Sequence, residues 1–67
     1  MINIKTNSRK VKPGDTFVAI KGFTVDGHDY IEDAIKAGAT KIVCEHGEYQ
    51  VETIITPSPE EWLKETL

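Results

Sequence analysis

An entirely apolar run, Phe17-Val18-Ala19-Ile20, is the feature that most constrains how this chain can fold. A run without a polar face is typical of a strand that is buried on both sides, as in a parallel or mixed sheet. Pro13-Gly14 precedes the run and predicts a turn, because proline presets one turn residue and glycine supplies positive φ. The run therefore predicts a buried strand that begins shortly after a turn.

A helix and a further strand are predicted after this run. Asp26 is a candidate N-cap with Asp29 in a capping-box-like position, and Gly38 is a candidate C′ residue. The side chains that share the predicted inner face at helical spacing are Tyr30, Ile31, Ala34 and Ile35. Residues 41–45 form the next predicted strand. A strand, a helix and a strand in this order favour parallel strands joined by a right-handed crossover.

The flanking segments predict the remaining elements. Ile2-Asn3-Ile4 and residues 51–55 alternate as short strands. Ser58-Pro59-Glu60-Glu61 predicts a second helix, with Ser58 as N-cap, proline at the first helical position and Glu61 completing a capping box. The expected core contacts of this helix are Trp62, Leu63 and Leu67. We therefore expect a single small α/β domain over residues 1–67, a three- to four-stranded mixed or parallel sheet with two helices.

Composition excludes several classes of protein. The single cysteine, Cys44, excludes an internal disulfide and favours the cytoplasm. No apolar run approaches the roughly 18 residues of a membrane span, and the N-terminus lacks the apolar core of a signal peptide. We therefore expect a cytoplasmic chain that has no membrane partner.

The charges are distributed unevenly along the chain. Residues 1–21 carry five basic side chains and one carboxylate, whereas residues 22–67 carry three basic side chains and ten carboxylates. The basic end favours a phosphate-bearing ligand, and a solvated face with an accidental bias is the alternative. Nucleic acid is not an expected partner, since the net charge is −3 and lysine and arginine do not alternate with aromatic residues.

Two segments carry candidate binding residues. The Ser8 hydroxyl can donate and accept hydrogen bonds at the edge of a base, or it can cap its own turn. Arg9 can bind a phosphate through its forked guanidinium, or it can pair with Asp15. Phe23-Thr24-Val25 lies in a loop between Gly22 and Gly27, where an aromatic ring can stack on a base or fold back onto the core.

Catalytic motifs are missing from the sequence. It contains neither the G-x-x-x-x-G-K-S/T loop that holds a triphosphate nor the G-x-S-x-G elbow of a serine hydrolase. Cys44, His46 and His28 do not form the paired four-ligand motifs of structural zinc. We therefore expect no metal, no cofactor and no catalytic residue, with Cys44 buried in the core.

One set of residues follows a known family pattern in order and spacing. Its members run from Ser8 to Asp15, from Phe17 to Ala19, through Gly22, from Asp26 to Ile31, and through Ala34, Ile35, Gly38 and Ala39. In this set the chain resembles the N-terminal domain of the Mur ligases, the ATP-driven enzymes that add amino acids to UDP-N-acetylmuramoyl peptides. The pattern is most similar to the ligases that add the third stem residue, diaminopimelate or lysine.

The resemblance implies a domain that binds the uridine of a UDP-sugar, while other domains of the ligase perform the chemistry. The uridine contacts that it implies are Thr6, Ser8, Phe23, Thr24 and Val25, and Arg9 is the candidate diphosphate contact. Asn7 departs from the family pattern, which usually has aspartate there. The chain also starts close to the first strand and ends before any ATPase segment.

We therefore expect a non-catalytic module that holds the uridine and diphosphate part of a UDP-N-acetylmuramoyl-peptide, or UDP itself, in peptidoglycan precursor synthesis. The alternative is a free-standing protein-interaction or regulatory domain that kept the fold without the ligand and binds a protein partner.

Overall fold

Four parallel strands form one sheet in the computed structural model, which describes residues 3–22 and 25–66. The strands are β1 (Ile4–Lys5), β2 (Thr16–Val18), β3 (Lys41–Cys44) and β4 (Glu52–Ile55), and they lie in sequence order across the sheet. Two α-helices, α1 (Ile31–Lys36) and α2 (Pro59–Thr66), and two 3₁₀ helices, Ser8–Lys10 and Gly27–Tyr30, complete the described elements. The α/β prediction is confirmed, and the sheet is parallel rather than mixed.

The predicted buried strand lies inside the sheet as β2. Phe17 pairs with Ile42 of β3, and Val18 pairs with Val43, so the side chains of successive residues point to opposite faces. Phe17 and Ile42 belong to a core cluster with Ile31 of α1, and all three are fully buried. Val18 and Val43 are also fully buried, on the other face of the sheet, and α2 contacts β2.

Most element ends differ from the sequence prediction by one or two residues. The first strand is Ile4–Lys5 instead of residues 2–4, and Ile2 lies outside the described residues. The predicted run of residues 17–20 is shortened to Thr16–Val18, although the Ala19 amide still donates to the Val43 carbonyl at 2.8 Å. Residue 45 lies outside β3 and residue 51 lies outside β4.

The predicted helix ends are partly confirmed. Gly38 follows α1 with a φ of 113°, the left-handed conformation expected of a C′ glycine. At the second helix the Glu61 amide donates to the Ser58 hydroxyl at 3.3 Å, which is half of the predicted capping box. The Ser58 amide donates to the Thr56 hydroxyl rather than to Glu61. Trp62 and Leu63 are half-buried, and Leu67 lies outside the described residues.

Candidate functional site

A cleft of about 400 Å³ lies where β1 and β2 end. Residues 6–9, which follow β1, and residues of the loop after β2 line it. Because these strands are parallel neighbours, both segments leave the same edge of the sheet. Ligands of open parallel sheets bind at this edge, outside the carboxyl ends of the strands. The cleft is within the range of roughly 300–1,000 Å³ that is usual for small-molecule sites.

The segment after β1 is held by an asparagine cap. The Asn7 side-chain oxygen accepts a hydrogen bond from the Arg9 amide at 2.9 Å, and the Val11 amide donates to the Ser8 carbonyl at 3.3 Å. These bonds fix the backbone of the 3₁₀ helix that carries Ser8 and Arg9 into the cleft. An aspartate at position 7 can accept the same bond, so asparagine removes a charge there and keeps the cap.

Asp15 pairs with Lys5 rather than with Arg9. The Lys5 Nζ lies 3.2 Å from Asp15 Oδ2, and the Lys12 amide donates to the same oxygen at 2.8 Å. The alternative role of Arg9 as a partner of Asp15 is therefore wrong. Arg9 lines the cleft, whereas Lys5 is engaged in this ion pair.

Hydrogen bonds close the base of the loop after β2. The Gly27 amide donates to the Ile20 carbonyl, and the Gly22 amide donates to the Val25 carbonyl, each at 2.8 Å. A Cβ atom on Gly27 would lie 2.6 Å from the Ile20 nitrogen, so only glycine allows the two backbones to approach this closely. Val25 is 52% exposed and lines the cleft. Phe23 and Thr24 lie outside the described residues, and their contacts stay predictions.

His28 links the base of this loop to the end of β3. Asp26 Oδ1 accepts from the His28 amide at 2.9 Å and lies 2.7 Å from His28 Nδ1, while His28 Nε2 accepts from the Glu45 amide at 2.9 Å. Because Nε2 accepts, the ring proton lies on Nδ1 and is donated to Asp26. The hydrogen bond from the His28 amide, with that from its ring, lowers the pKa of Asp26. This network is structural, and sequence reasoning missed it.

The two histidines lie close together in the structure. His28 and His46 stack with ring centroids 4.8 Å apart, but the described residues contain no group of three His, Cys, Asp or Glu side chains that could hold a metal ion. Cys44 is fully buried, as predicted, and burial raises the pKa of its thiol. In residues 3–22 and 25–66, no helix has the length and apolar character needed to cross a membrane.

Tyr30 is the lining residue that sequence reasoning placed wrongly. Helical spacing predicted that its side chain faces the core with Ile31, but Tyr30 is 41% exposed and lines the cleft. The residues before it wind as a 3₁₀ helix with about three residues per turn instead of 3.6. The apolar face therefore begins at Ile31, and Tyr30 points away from it. The sequence offered no local signal for this position, because an Asp26 cap can start either a 3₁₀ turn or an α turn.

The cleft thus brings together four of the six predicted binding residues: Thr6, Ser8, Arg9 and Val25. Ser8 and Arg9 come from one segment, and Val25 comes from the other. Polar and cationic groups lie beside exposed apolar surface, an arrangement suited to a small ligand with a flat polar ring and an anionic end.

Comparisons with known proteins agree with the sequence resemblance. A family model described as the Mur ligase family, catalytic domain, matches residues 2–66. The UDP-N-acetylmuramoyl-L-alanyl-D-glutamate–2,6-diaminopimelate ligase of Clostridium perfringens is 54% identical over 41 residues, which are 61% of this chain and 8% of that protein. The ligase of the same name from Bacillus licheniformis is 56% identical over 43 residues, 64% of this chain and 9% of that protein.

Solved structures of similar proteins share the fold. The MurF ligase of Thermotoga maritima, solved in complex with ADP, superposes with a TM-score of 0.87 at 34% identity and covers 96% of this chain and 15% of its own. A UDP-N-acetylmuramoylalanyl-D-glutamyl-2,6-diaminopimelate–D-alanyl-D-alanyl ligase of Acinetobacter baumannii superposes with a TM-score of 0.78 at 24% identity, over 85% of this chain and 13% of its own. The fold is that predicted from the Mur ligase N-terminal domain, and the chain spans only a small part of each of these proteins.

Proposed function

Because this chain belongs to the Mur ligase family, we propose that it is a non-catalytic module that binds the uridine and diphosphate part of a UDP-N-acetylmuramoyl-peptide. The observation that carries the proposal is the cleft at the carboxyl ends of β1 and β2, which brings Thr6, Ser8, Arg9 and Val25 together. The relatives from Clostridium perfringens and Bacillus licheniformis have this class of substrate in their names. The module would act in cytoplasmic peptidoglycan precursor synthesis.

The polar groups of the cleft suit the edge of a uracil ring. That edge presents two carbonyl acceptors and one imide donor, and a serine hydroxyl can both donate and accept. Ser8 lies in the 3₁₀ helix held by the Asn7 cap, so its position is set by the backbone. Thr6 adds a second hydroxyl from the same segment, and Val25 adds apolar surface from the loop. Phe23 and Thr24 complete the proposed uridine contacts.

Arg9 is the proposed diphosphate contact. Its guanidinium can donate two parallel hydrogen bonds to phosphate oxygens, which a lysine ammonium cannot do. Arg9 is exposed and lines the cleft, whereas Lys5 is already paired with the buried Asp15. We therefore assign the phosphate interaction to Arg9.

The proposal gives this module no chemical step. Its 67-residue sequence contains no G-x-x-x-x-G-K-S/T loop that could hold a triphosphate. The matched segments are 8% and 9% of the diaminopimelate ligases. The ligase activity of those proteins is therefore not proposed for this chain by itself.

Amide shifts in the ¹⁵N-labelled chain on titration with UDP test the proposal directly. We expect shifts at Thr6, Ser8, Arg9 and Val25, because these residues line the cleft. A folded chain with no shift at these amides at millimolar UDP would overturn the proposal. The protein-interaction alternative would then be the function to pursue.

A matched pair of variants tests the diphosphate contact. Lys10 is exposed and adjacent to Arg9 but is not part of the cleft lining. We expect Arg9→Ala to weaken UDP binding about tenfold, the loss of roughly one charge-assisted hydrogen bond, and Lys10→Ala to weaken it much less. Uridine, which has no phosphate, should bind both variants as it binds the unaltered chain. Equal losses in the two variants would show a diffuse charge effect instead of a contact.

A further inference from the structure

We propose that Tyr30 is a ligand-contacting residue of this cleft, with its ring packed against the face of the bound base. The inference rests on the proposed function and adds a residue that the family pattern did not assign. Tyr30 lines the cleft and is 41% exposed. Phe17, the other aromatic residue in the described lining, is fully buried and has no ring face to offer.

The exposed apolar surface is concentrated at the cleft. In the described part of the chain, the exposed large hydrophobic side chains are Val25, Tyr30 and Ile55. Two of these three line the cleft, whereas Ile55 lies at the end of the edge strand β4. A single exposed tyrosine is unremarkable on a protein surface. A tyrosine and a valine that share a cleft with Ser8 and Arg9 fit a ligand with a flat ring and an anionic tail.

The backbone of Tyr30 is held on both sides. Ile31 follows it and is fully buried in the core. His28 precedes it and is fixed by hydrogen bonds with Asp26 and with the Glu45 amide. A tyrosine side chain has only two main torsions to restrict on binding, so an anchored backbone leaves little freedom to lose. The anchored backbone thus places the ring beside the cleft, and only its side-chain torsions are restricted on binding.

A stacking contact adds affinity without selecting the base. Every pyrimidine has a π-face, so aromatic stacking tolerates a change of base, whereas hydrogen bonds to the base edge do not. The assignment therefore separates two roles within one site. Tyr30 strengthens the binding of UDP and CDP equally, while Ser8 contributes to the preference for UDP.

Fluorine NMR of the chain labelled with 3-fluorotyrosine provides the first test. The sequence contains two tyrosines, Tyr30 and Tyr49, and Tyr49 packs against the core beside a separate cavity lined by Glu32 and Lys36. Tyr30→Phe assigns the two signals. We expect UDP to shift the Tyr30 signal and to leave the Tyr49 signal in place, with the same saturation curve as the Ser8 amide.

Binding measurements on variants provide the second test. Tyr30→Ala should weaken UDP and CDP binding by about the same factor, roughly tenfold, and leave their ratio unchanged. Tyr30→Phe, which keeps the ring, should recover most of the affinity that Tyr30→Ala loses. Ile55→Ala, which removes an exposed side chain outside the cleft, should bind as the unaltered chain does. Ser8→Ala should change the UDP to CDP ratio.

The outcomes separate this inference from the proposed function. Shifts at the Ser8 and Val25 amides without a shift of the Tyr30 fluorine signal would overturn the role of Tyr30 and leave the uridine module intact. Unchanged affinity of Tyr30→Ala would do the same. Absence of amide shifts with UDP would overturn both. If Tyr30→Ala does not fold, the fluorine experiment on the unaltered chain still decides the matter.

Discussion

Asp15 links the turn that precedes β2 to strand β1. Its side chain is 2% exposed and accepts from the Lys12 amide at 2.8 Å, with Lys5 Nζ at 3.2 Å. The Lys12 hydrogen bond lowers the pKa of Asp15 below its ordinary value of 3.8, against the opposing effect of burial, and Lys5 lowers it further. The folded chain therefore favours the charged carboxylate more than the unfolded chain does.

We expect this carboxylate to make stability depend on pH in acid. Because its pKa is lower in the folded state, its contribution is complete above about pH 4 and disappears as the pH falls through the lowered value. Asp26, whose pKa is also lowered, contributes in the same direction. Asp15→Asn should therefore lower the melting temperature at pH 7 and lose less further stability than the unaltered chain as the pH falls below about 4.

Thermal unfolding followed by circular dichroism at a series of pH values measures this effect. Asp33→Asn is the matched control, because Asp33 is exposed on α1. It should leave the acid-dependent loss close to that of the unaltered chain. If the melting temperature of Asp15→Asn falls with pH in parallel with that of the unaltered chain, Asp15 is not the source of the acid-dependent loss of stability.

At the scale of elements, the end of α1 is packed against the turn that precedes β2. The Gly14 amide donates to the Gly38 carbonyl at 2.9 Å, and the Thr40 amide donates to the Asp15 carbonyl at 2.9 Å. Gly38 has a φ of 113°, and a Cβ atom there would lie 2.6 Å from the Pro13 Cα. Gly14 also has positive φ, at 91°, but a Cβ atom on it would meet nothing within 4 Å.

Alanine substitutions at these two glycines distinguish the energetic cost of backbone strain from that of a steric clash. Gly14→Ala should cost about 1 kcal/mol, the penalty of a left-handed conformation for a residue with a Cβ atom. Gly38→Ala adds a collision with backbone atoms of Pro13, which cannot move as a flexible side chain can, so it should cost about 2–4 kcal/mol. Urea unfolding of both variants measures the difference. Equal losses in the free energy of unfolding would mean that the turn at Pro13 shifts to accommodate the Cβ atom at no measurable cost.

The element order was predictable because its signals are local. The apolar run, the Asp26 cap, Gly38 and the Ser58-Pro59 start each define an element within a few residues, and the strand–helix–strand order favours parallel pairing. The position of Tyr30 was not predictable in this way. The direction of the Tyr30 side chain depends on whether the first turn after Asp26 is a 3₁₀ turn or an α turn. The 3₁₀ turn occurs together with the hydrogen bonds that His28 makes with Asp26 and with the Glu45 amide.

At the scale of the whole molecule, the candidate site depends on long-range pairing. Ile4 of β1 pairs with Thr16 of β2, and this register places Ser8 and Val25, which are distant in sequence, on one cleft. The residues themselves could be named from the family resemblance. Local patterns could not show that they share a cleft, because that follows from the order and direction of strands in the sheet.

The reactivity of the Cys44 thiol can show whether a ligand in the cleft stabilises the whole fold. It is fully buried in the central strand β3, so a thiol reagent reaches it only after the structure opens. If UDP binds only the closed structure, UDP at ten times its dissociation constant should slow the reaction about 11-fold. Reagent absorbance followed over time, with and without UDP, measures this ratio.

Arg9→Ala supplies the matched control, because its weaker binding should reduce the protection at the same UDP concentration. In urea, where the chain is unfolded, UDP should have no effect on the rate. An unchanged rate of thiol reaction at saturating UDP would mean that Cys44 becomes accessible through a local opening that leaves the cleft intact. Phe17 of β2 lines the cleft and lies in the same core cluster as Cys44, so we expect the cleft and the surroundings of Cys44 to open together.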